Sequence, residues 1–155
     1  ANDLETKDWT GVTSVTINST IAPNAGEFKA LKKALNGRDL ILSGTNTMVN
    51  LKAGDGSLTA NSLIVNGTAT IGDTNANSKK VMLTVNEIEV ATGATLTVNE
   101  SWILVNQEVR EGSGNGMTVK GKIIYDKKGG AIKALNNDGA EGAYLTWNGS
   151  KGWLK

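Results

Sequence analysis

The sequence contains no cysteine and no histidine among its 155 residues. Without these side chains the chain has no disulfide, no zinc site of the usual Cys/His kind, and no catalytic triad or dyad that needs an imidazole base or a thiolate. Most hydrolase mechanisms are therefore excluded. We expect a protein that is not an enzyme.

The chain also lacks an excess of charge and a long apolar run. Its 16 Lys and Arg residues nearly balance its 15 Asp and Glu residues, which gives no general electrostatic reason to bind nucleic acid or anionic lipid. No apolar run approaches the roughly 20 residues that span a bilayer. We therefore predict no nucleic-acid partner and no membrane insertion. The opening ANDLETKD resembles a mature terminus left by signal cleavage, so we expect a secreted protein at the extracellular surface.

Glycine, in contrast, is abundant. The 19 glycines, together with many Asn, Thr and Ser residues, favour turn-rich β-structure. A chain of this length fits one domain. We expect a single domain over 1–155, with an N-terminal strand and capping helix in 1–37, β-repeats in 38–125 and an aromatic C-terminal hairpin in 126–155.

Two local patterns occupy the N-terminal region. An apolar alternation predicts a β-strand, and its residues are Val12, Val15, Ile17 and Ile21. After Pro23, the segment AGEFKALKKALNG predicts a short amphipathic helix, with apolar residues at helical spacing: Phe28, Leu31 and Leu35. Asn24 and Glu27 stand three apart like a capping box, and Gly37 is the stop. We expect this helix to cover one end of the β-structure.

From Arg38 onward the sequence repeats itself. Four runs share a signature, and they are LTANSLIV (58–65), LTVNEIEV (83–90), LTVNESWILV (96–105) and MTVKGKIIY (117–125). Their offsets are 25, 13 and 21 residues; offsets near 21 to 25 fit one coil of a parallel solenoid, and 13 would separate two faces of one coil. We predict an all-β fold, a parallel β-solenoid (β-helix) with one short capping helix. An antiparallel β-sandwich or jelly roll is the alternative.

Asparagine recurs at one place in three of these copies. Asn61, Asn86 and Asn99 each stand at the fourth position of their copy. This recurrence predicts solenoid corners or a stacked asparagine ladder, whereas the simpler interpretation is that asparagine ends strands.

One segment offers oxygen ligands at alternating positions. In GDTNANS at 72–78, these are Asp73, Asn75 and Asn77, like the start of an EF-hand loop. The glycine at the sixth position and the glutamate at the twelfth are missing, since Ser78 and Thr84 stand there. A solvated turn is the competing interpretation. Calcium is the only cofactor that we would test, and otherwise we expect none.

The C-terminal tail gathers aromatic residues. Tyr144, Trp147 and Trp153 lie within ten residues of one another, and Asn-Gly or Lys-Gly turns between the two tryptophans predict a hairpin in which they pair. Such rings could close the terminal core, contact a neighbouring subunit or stack on sugars.

The LTVN runs with Gly/Asn corners, over about 38–125, resemble the passenger domains of bacterial autotransporters and filamentous haemagglutinins. Those passenger domains are right-handed β-solenoids exported to the cell surface. The terminal WNGSKGW also resembles short segments of phage tail-fibre and bacterial surface proteins. Because passenger domains are usually far longer, the resemblance implies a short relative that reaches length by assembly.

Unpaired strand edges are templates for adding another chain. We therefore predict a structural subunit of an extracellular or cell-surface filament or matrix, whose partner is a further copy of itself. The predicted subunit contacts are Val12, Val15 and Ile17, or Tyr144, Trp147 and Trp153. The alternatives are a monomeric adhesin or carbohydrate-binding module that binds surface glycans, and a phage tail or virion component.

Overall fold

The computed structural model describes residues 8–51, 56–73, 81–99, 102–107, 116–125, 130–134, 146–147 and 153–154. Its strands, numbered in chain order, form three parallel sheets and one small antiparallel sheet. Sheet A contains, in spatial order, β1 (Ser14–Ile17), β2 (Asp39–Leu42), β5 (Ser62–Val65), β8 (Glu87–Val90) and β11 (Met117–Val119). Sheet B contains β3 (Thr47–Leu51), β6 (Thr68–Asp73), β9 (Thr95–Asn99) and β12 (Lys122–Tyr125). Sheet C contains β4 (Leu58–Thr59), β7 (Val81–Val85), β10 (Trp102–Val105) and β13 (Ala131–Ala134).

The chain visits the three sheets in a fixed order, from A to B to C, and then begins the next coil. Every described pairing within these sheets is parallel, so the protein is a β-solenoid of about four turns. This confirms the predicted solenoid, and the antiparallel sandwich is wrong. Sequential strands of a sandwich would pair antiparallel, whereas here each strand pairs with its equivalent one coil away.

The core consists of apolar rows that run along the solenoid axis. Period-2 alternation turns one face of each strand inward, and the parallel register stacks equivalent residues. One such row in sheet A is Val15, Leu40, Leu63, Ile88 and Met117, and all five are buried. The matching row in sheet C is Leu58, Leu83, Ile103 and Ile132. Each inner residue therefore packs against its counterparts in the neighbouring coils.

The repeat offsets are explained by these registers. Leu58 pairs with Leu83, so the 25-residue offset is one coil, as predicted. Leu96 lies in sheet B rather than sheet C, so the 13-residue offset separates two faces. The prediction that the 21-residue offset from Leu96 to Met117 is one coil is wrong. Leu96 pairs with Ile123 in sheet B, whereas Met117 lies in sheet A. The parallel strands also continue to Ala134, past the boundary expected at 125.

Helix α1 (Ala25–Leu35) follows β1 as predicted and has the expected caps. The Asn24 side chain accepts a hydrogen bond from the Glu27 N–H at 2.9 Å, and Glu27 Oε1 accepts one from the Asn24 N–H. Gly37 has a φ of 76°, the left-handed conformation that ends many helices. The apolar face is buried in the common core through Phe28, Leu31, Ala34 and Leu35. The helix contacts β4 and β1, so it covers the sheet C side of the first coil.

Asn24→Ala is expected to lower the free energy of unfolding by about 1 kcal/mol, because the side-chain oxygen that accepts the Glu27 N–H is lost. Asn24→Asp is the matched control, since aspartate accepts the same bond and should leave stability unchanged. Urea unfolding followed by circular dichroism measures both variants. Equal stability of Asn24→Ala and Asn24→Asp would contradict a role for the cap.

The predicted aromatic hairpin is present in the described part of the tail. Strands β14 (Thr146–Trp147) and β15 (Trp153–Leu154) pair antiparallel, with Trp147 opposite Trp153. Strand β14 lies beside β12, at the C-terminal end of sheet B. Tyr144 lies outside the described residues.

Candidate functional site

The predicted calcium ligands fall at the edge of the described chain. Asp73 ends β6, whereas Asn75 and Asn77 lie outside the described residues, so this site stays a prediction. Within the described ranges, no three Asp or Glu residues stand close enough to hold a metal ion.

The predicted contact residues of the first strand face inward. Val15 and Ile17 are only 7% and 8% exposed, because their side chains pack into the core of their own solenoid. Their side chains are therefore turned into the core, so a contact through β1 would use mainly its backbone, and the place of these residues at a subunit contact stays a prediction. Val12 is half-buried, and its carbonyl accepts a hydrogen bond from Arg38 Nε at 2.7 Å.

Among the described residues, the backbone of β1 has hydrogen-bond partners on one side only. The carbonyls of Thr13 and Ile17 accept hydrogen bonds from Asp39 and Ser43, on the side of β2. In a parallel strand, alternate residues direct their N–H and C=O groups to opposite sides. Ser14 and Thr16 therefore direct theirs away from β2, where the described part of the chain provides no partner.

Strand β11 presents the complementary edge at the other end of sheet A. The Gly116 carbonyl accepts a bond from Ile88 N at 2.8 Å, and Lys120 N donates to the Val90 carbonyl at 2.9 Å. By the same alternation, Met117 and Val119 direct their N–H and C=O groups outward. No described strand follows β11 in this sheet.

Sheets B and C differ from sheet A at their N-terminal ends. Ile21 covers β3, since it donates to the Met48 carbonyl at 2.8 Å and accepts from Asn50 N at 2.9 Å. Helix α1 lies against β4. Among the described elements, sheet A is thus the sheet with an unpaired strand edge at both ends.

Arg38 fixes the segment that precedes β1. Its guanidinium donates to the carbonyls of Trp9, Val12 and Ala34 at 2.5, 2.7 and 3.0 Å. It also lies 5.8 Å from the centroid of the Trp9 ring. One half-buried side chain therefore joins the N-terminal segment, the last turn of α1 and the start of β2.

The corner between sheets C and A carries a ladder of side-chain amides. Asn86 Nδ2 donates to Asn61 Oδ1 at 3.2 Å, and Asn61 Nδ2 donates to Asp39 Oδ1 at 2.7 Å. Gln107 Nε2 continues the column by donating to the Asn86 backbone carbonyl. The predicted asparagine ladder is confirmed for Asn61 and Asn86.

Asn99 does not belong to this ladder. It ends β9 in sheet B, pairs with Gly72 and lies at a different corner. Its Oδ1 atom is buried and has no hydrogen-bond partner among the described residues. The repeat placed the three asparagines at equivalent points of the sequence motif, but the third motif belongs to another pair of sheets.

Sequence patterns did not single out Trp102 and Lys133. Both lie on the outward side of sheet C, where Lys133 Nζ is 3.3 Å from the centroid of the Trp102 ring. Trp102 belongs to an apolar run of the sequence, but it alternates with the buried Ile103 and Val105 and therefore faces outward. The contact itself joins adjacent coils and has no local sequence signal.

Comparison with protein-family models, with curated proteins and with solved structures found no match to this chain. In the part of the chain that the structure describes, no helix has the length and apolar character needed to cross a membrane. The functional proposals below therefore rest on the geometry of the described residues and on the sequence.

Proposed function

We propose that this protein is a structural subunit of an extracellular or cell-surface filament or matrix, which grows by adding copies end to end along sheet A. The observation that carries the proposal is the pair of unpaired edges, β1 at one end of sheet A and β11 at the other. An exposed strand edge has unpaired N–H and C=O groups that can bond to another chain, unless side chains or other elements of the protein cover it.

The two edges are suited to each other because the whole sheet is parallel. A second copy placed beyond β11 would bring its β1 alongside in the same direction, as β2 lies beside β1 within one molecule. The outward groups of Ser14 and Thr16 would then meet those of Met117 and Val119. The inward row would also continue, with Val15 of the added copy following Met117.

This contact uses different surfaces on the two copies, so it does not close on itself as a two-fold dimer does. Repeated without ring closure, a heterologous contact generates an open fibre. Helix α1 limits the contact to one sheet, because it covers the sheet C side of the first coil. The extracellular setting is supported by the resemblance of the repeats to surface-exported solenoids.

Thr16→Pro tests the proposal, because it removes an outward N–H that no described group accepts and leaves the bonds to β2 in place. Proline is tolerated on edge strands with the N–H side facing solvent, and the Thr16 side chain is exposed. We expect wild-type protein to form filaments in electron micrographs and fast-sedimenting species. Thr16→Pro should remain a monomer of 16.2 kDa with an unchanged circular dichroism spectrum.

Thr16→Val is the matched control, since it alters the same side chain but keeps the N–H group and should still assemble. Wild-type protein that stays monomeric at every concentration would contradict the proposal. Filaments of undiminished length from Thr16→Pro would show that another contact, such as the Trp147–Trp153 hairpin, joins the copies.

A further inference from the structure

Three neighbouring hollows on the side of the solenoid meet at Asn36. The helix hollow, of about 390 Å³, is lined by Lys29, Lys32, Lys33, Asn36 and Thr59. The terminal hollow, of about 450 Å³, adds Asp8, Trp9, Thr10 and Arg38 to Lys33 and Asn36. The corner hollow, of about 220 Å³, continues from Asn36 and Thr59 to Asn61, Thr84, Asn86 and Asn106. Together they form one trough, called here the Asn36 trough.

The helix part of the trough is basic. Lys29, Lys32 and Lys33 are exposed and have no ion-pair partner among the described residues. They stand three and four residues apart on one face of α1, a spacing at which like charges destabilise a helix. The nearby Glu27 carboxylate is engaged with the Asn24 N–H in the capping box. Counted over the described residues, this face of α1 therefore carries a net positive charge.

The corner part of the trough is neutral and polar. Thr59 and Thr84 lie side by side on the outward face of sheet C, one coil apart. Beside them, the amides of Asn61 and Asn86 are held in place by the ladder that ends on Asp39. A hydroxyl and an amide thus occur in each of these two coils, at the spacing of about 4.8 Å between parallel strands.

The terminal part of the trough contains an aromatic ring and a carboxylate. Trp9 lines the hollow, and its ring lies 5.8 Å from the Arg38 guanidinium carbon. Asp8 Oδ1 accepts bonds from the Thr10 hydroxyl at 2.7 Å and the Thr10 N–H at 3.0 Å. These side-chain and backbone bonds hold the pKa of Asp8 below its ordinary value. Asp8 is therefore ionised at neutral pH.

We propose that the Asn36 trough binds an acidic polysaccharide. The lysines of α1 would pair with uronate or sulfate groups, while the Thr hydroxyls and Asn amides would bond to sugar hydroxyls. The part of Trp9 that lines the terminal hollow would contact a sugar ring. An acidic sugar polymer fits better than a nucleic acid, because the basic part is limited to the lysines of α1 and the corner part carries neutral hydroxyl and amide groups. The site is on the side of the solenoid, so it does not depend on end-to-end assembly.

Binding is tested with polygalacturonate as the acidic polymer and dextran as the neutral one, by isothermal titration calorimetry at low and physiological ionic strength. We expect polygalacturonate to bind more weakly as salt rises, and dextran not to bind. The double variant Lys32→Gln, Lys33→Gln should weaken binding about tenfold, since exposed ion pairs contribute modestly and here two are lost. The control Lys120→Gln, Lys122→Gln removes two exposed lysines of the last coil and should leave the Kd unchanged.

Two further variants separate a sugar site from a simple basic patch. Thr84→Val removes a hydroxyl at constant shape and should weaken polygalacturonate binding about threefold while leaving polyphosphate binding unchanged. Asp8→Asn removes a negative charge from the trough and should strengthen polygalacturonate binding about twofold.

Absence of polygalacturonate binding would overturn the proposal. The proposal would also fail if Lys120→Gln, Lys122→Gln weakened binding as much as Lys32→Gln, Lys33→Gln. It would fail as well if polyphosphate bound as tightly as polygalacturonate and Thr84→Val had no effect on either. Salt-sensitive self-association that is lost in Lys32→Gln, Lys33→Gln, without polysaccharide binding, would instead identify the occupant as a second copy of this chain.

Discussion

Gly67→Ala is expected to lower the free energy of unfolding by about 3 kcal/mol, at the upper end of the cost of overpacking a core. Gly67 lies at the corner between β5 and β6, directly against Gly44 of the preceding coil. A methyl group there would overlap the Gly44 carbonyl oxygen and lie 2.8 Å from the Gly44 nitrogen. Both are backbone atoms, so no side-chain rotation relieves the overlap.

The surrounding hydrogen bonds prevent the two coils from moving apart. Thr68 N donates to the Gly44 carbonyl at 2.9 Å, and Asn66 N donates to the Leu42 carbonyl at 3.0 Å. Separating the corners to admit a methyl group would stretch both bonds. Each coil of a solenoid is stabilised mainly by its neighbours. Gly67→Ala is therefore expected to weaken the packing between the first two complete coils.

Gly37→Ala is the control that separates crowding from backbone conformation. Gly37 has a φ of 76° with open space around it, so alanine there should cost about 1 kcal/mol through the left-handed conformation alone. The φ of Gly67 lies outside the left-handed region, so the expected loss of stability in Gly67→Ala is steric. Urea unfolding of the two variants makes the comparison. A loss at Gly67 no larger than the loss at Gly37 would show that the corner can expand.

The helix and the solenoid could be predicted because their signals are local and periodic. The capping pair of Asn24 and Glu27 and the buried face of α1 follow from residues three and four apart. The stacking of Leu58 on Leu83 follows from two motif copies with the same corner between the same two sheets.

The later registers could not be predicted because corner length varies without changing the pairing. Asn86 alone separates β7 from β8, whereas residues 106–116 separate β10 from β11 at the equivalent corner. An insertion at a corner shifts every later motif along the sequence but leaves the strands on their sheets. The LTVN motif also occurs at two different corners of the solenoid. The motif alone therefore predicted wrongly that Asn99 belongs with Asn61 and Asn86.

The contacts that join distant segments had no sequence signal at all. Arg38 donates to carbonyls 26 and 29 residues away, and because every residue carries a backbone carbonyl, nothing in the sequence marks these acceptors. The Asn36 trough combines a helix face, a strand pair and the N-terminal segment, so only the coil order brings its residues together. The free edges of sheet A likewise depend on which strands come first and last.

Arg38→Met is expected to lower the free energy of unfolding by about 3 kcal/mol, because three charge-assisted bonds to carbonyls are lost at a half-buried site. Methionine retains part of the aliphatic stem, so the loss reports mainly on the guanidinium. Arg38→Lys should recover little of it, since an ammonium lacks the planar fork that reaches the carbonyls of Trp9, Val12 and Ala34 together.

The effect of Arg38→Met should be confined to the first coil, and native-state hydrogen exchange can locate it. The amides of Val12 and Asp39 should exchange faster, because the segment before β1 is released, while that of Ile88 should be unchanged. Acceleration of all three amides would indicate a global loss instead. Both proposed functions depend on this anchor, since it positions Trp9 in the Asn36 trough and holds β1 at the end of sheet A. Arg38→Met should therefore weaken polygalacturonate binding and shorten filaments together, whereas Thr16→Pro should affect only the filaments.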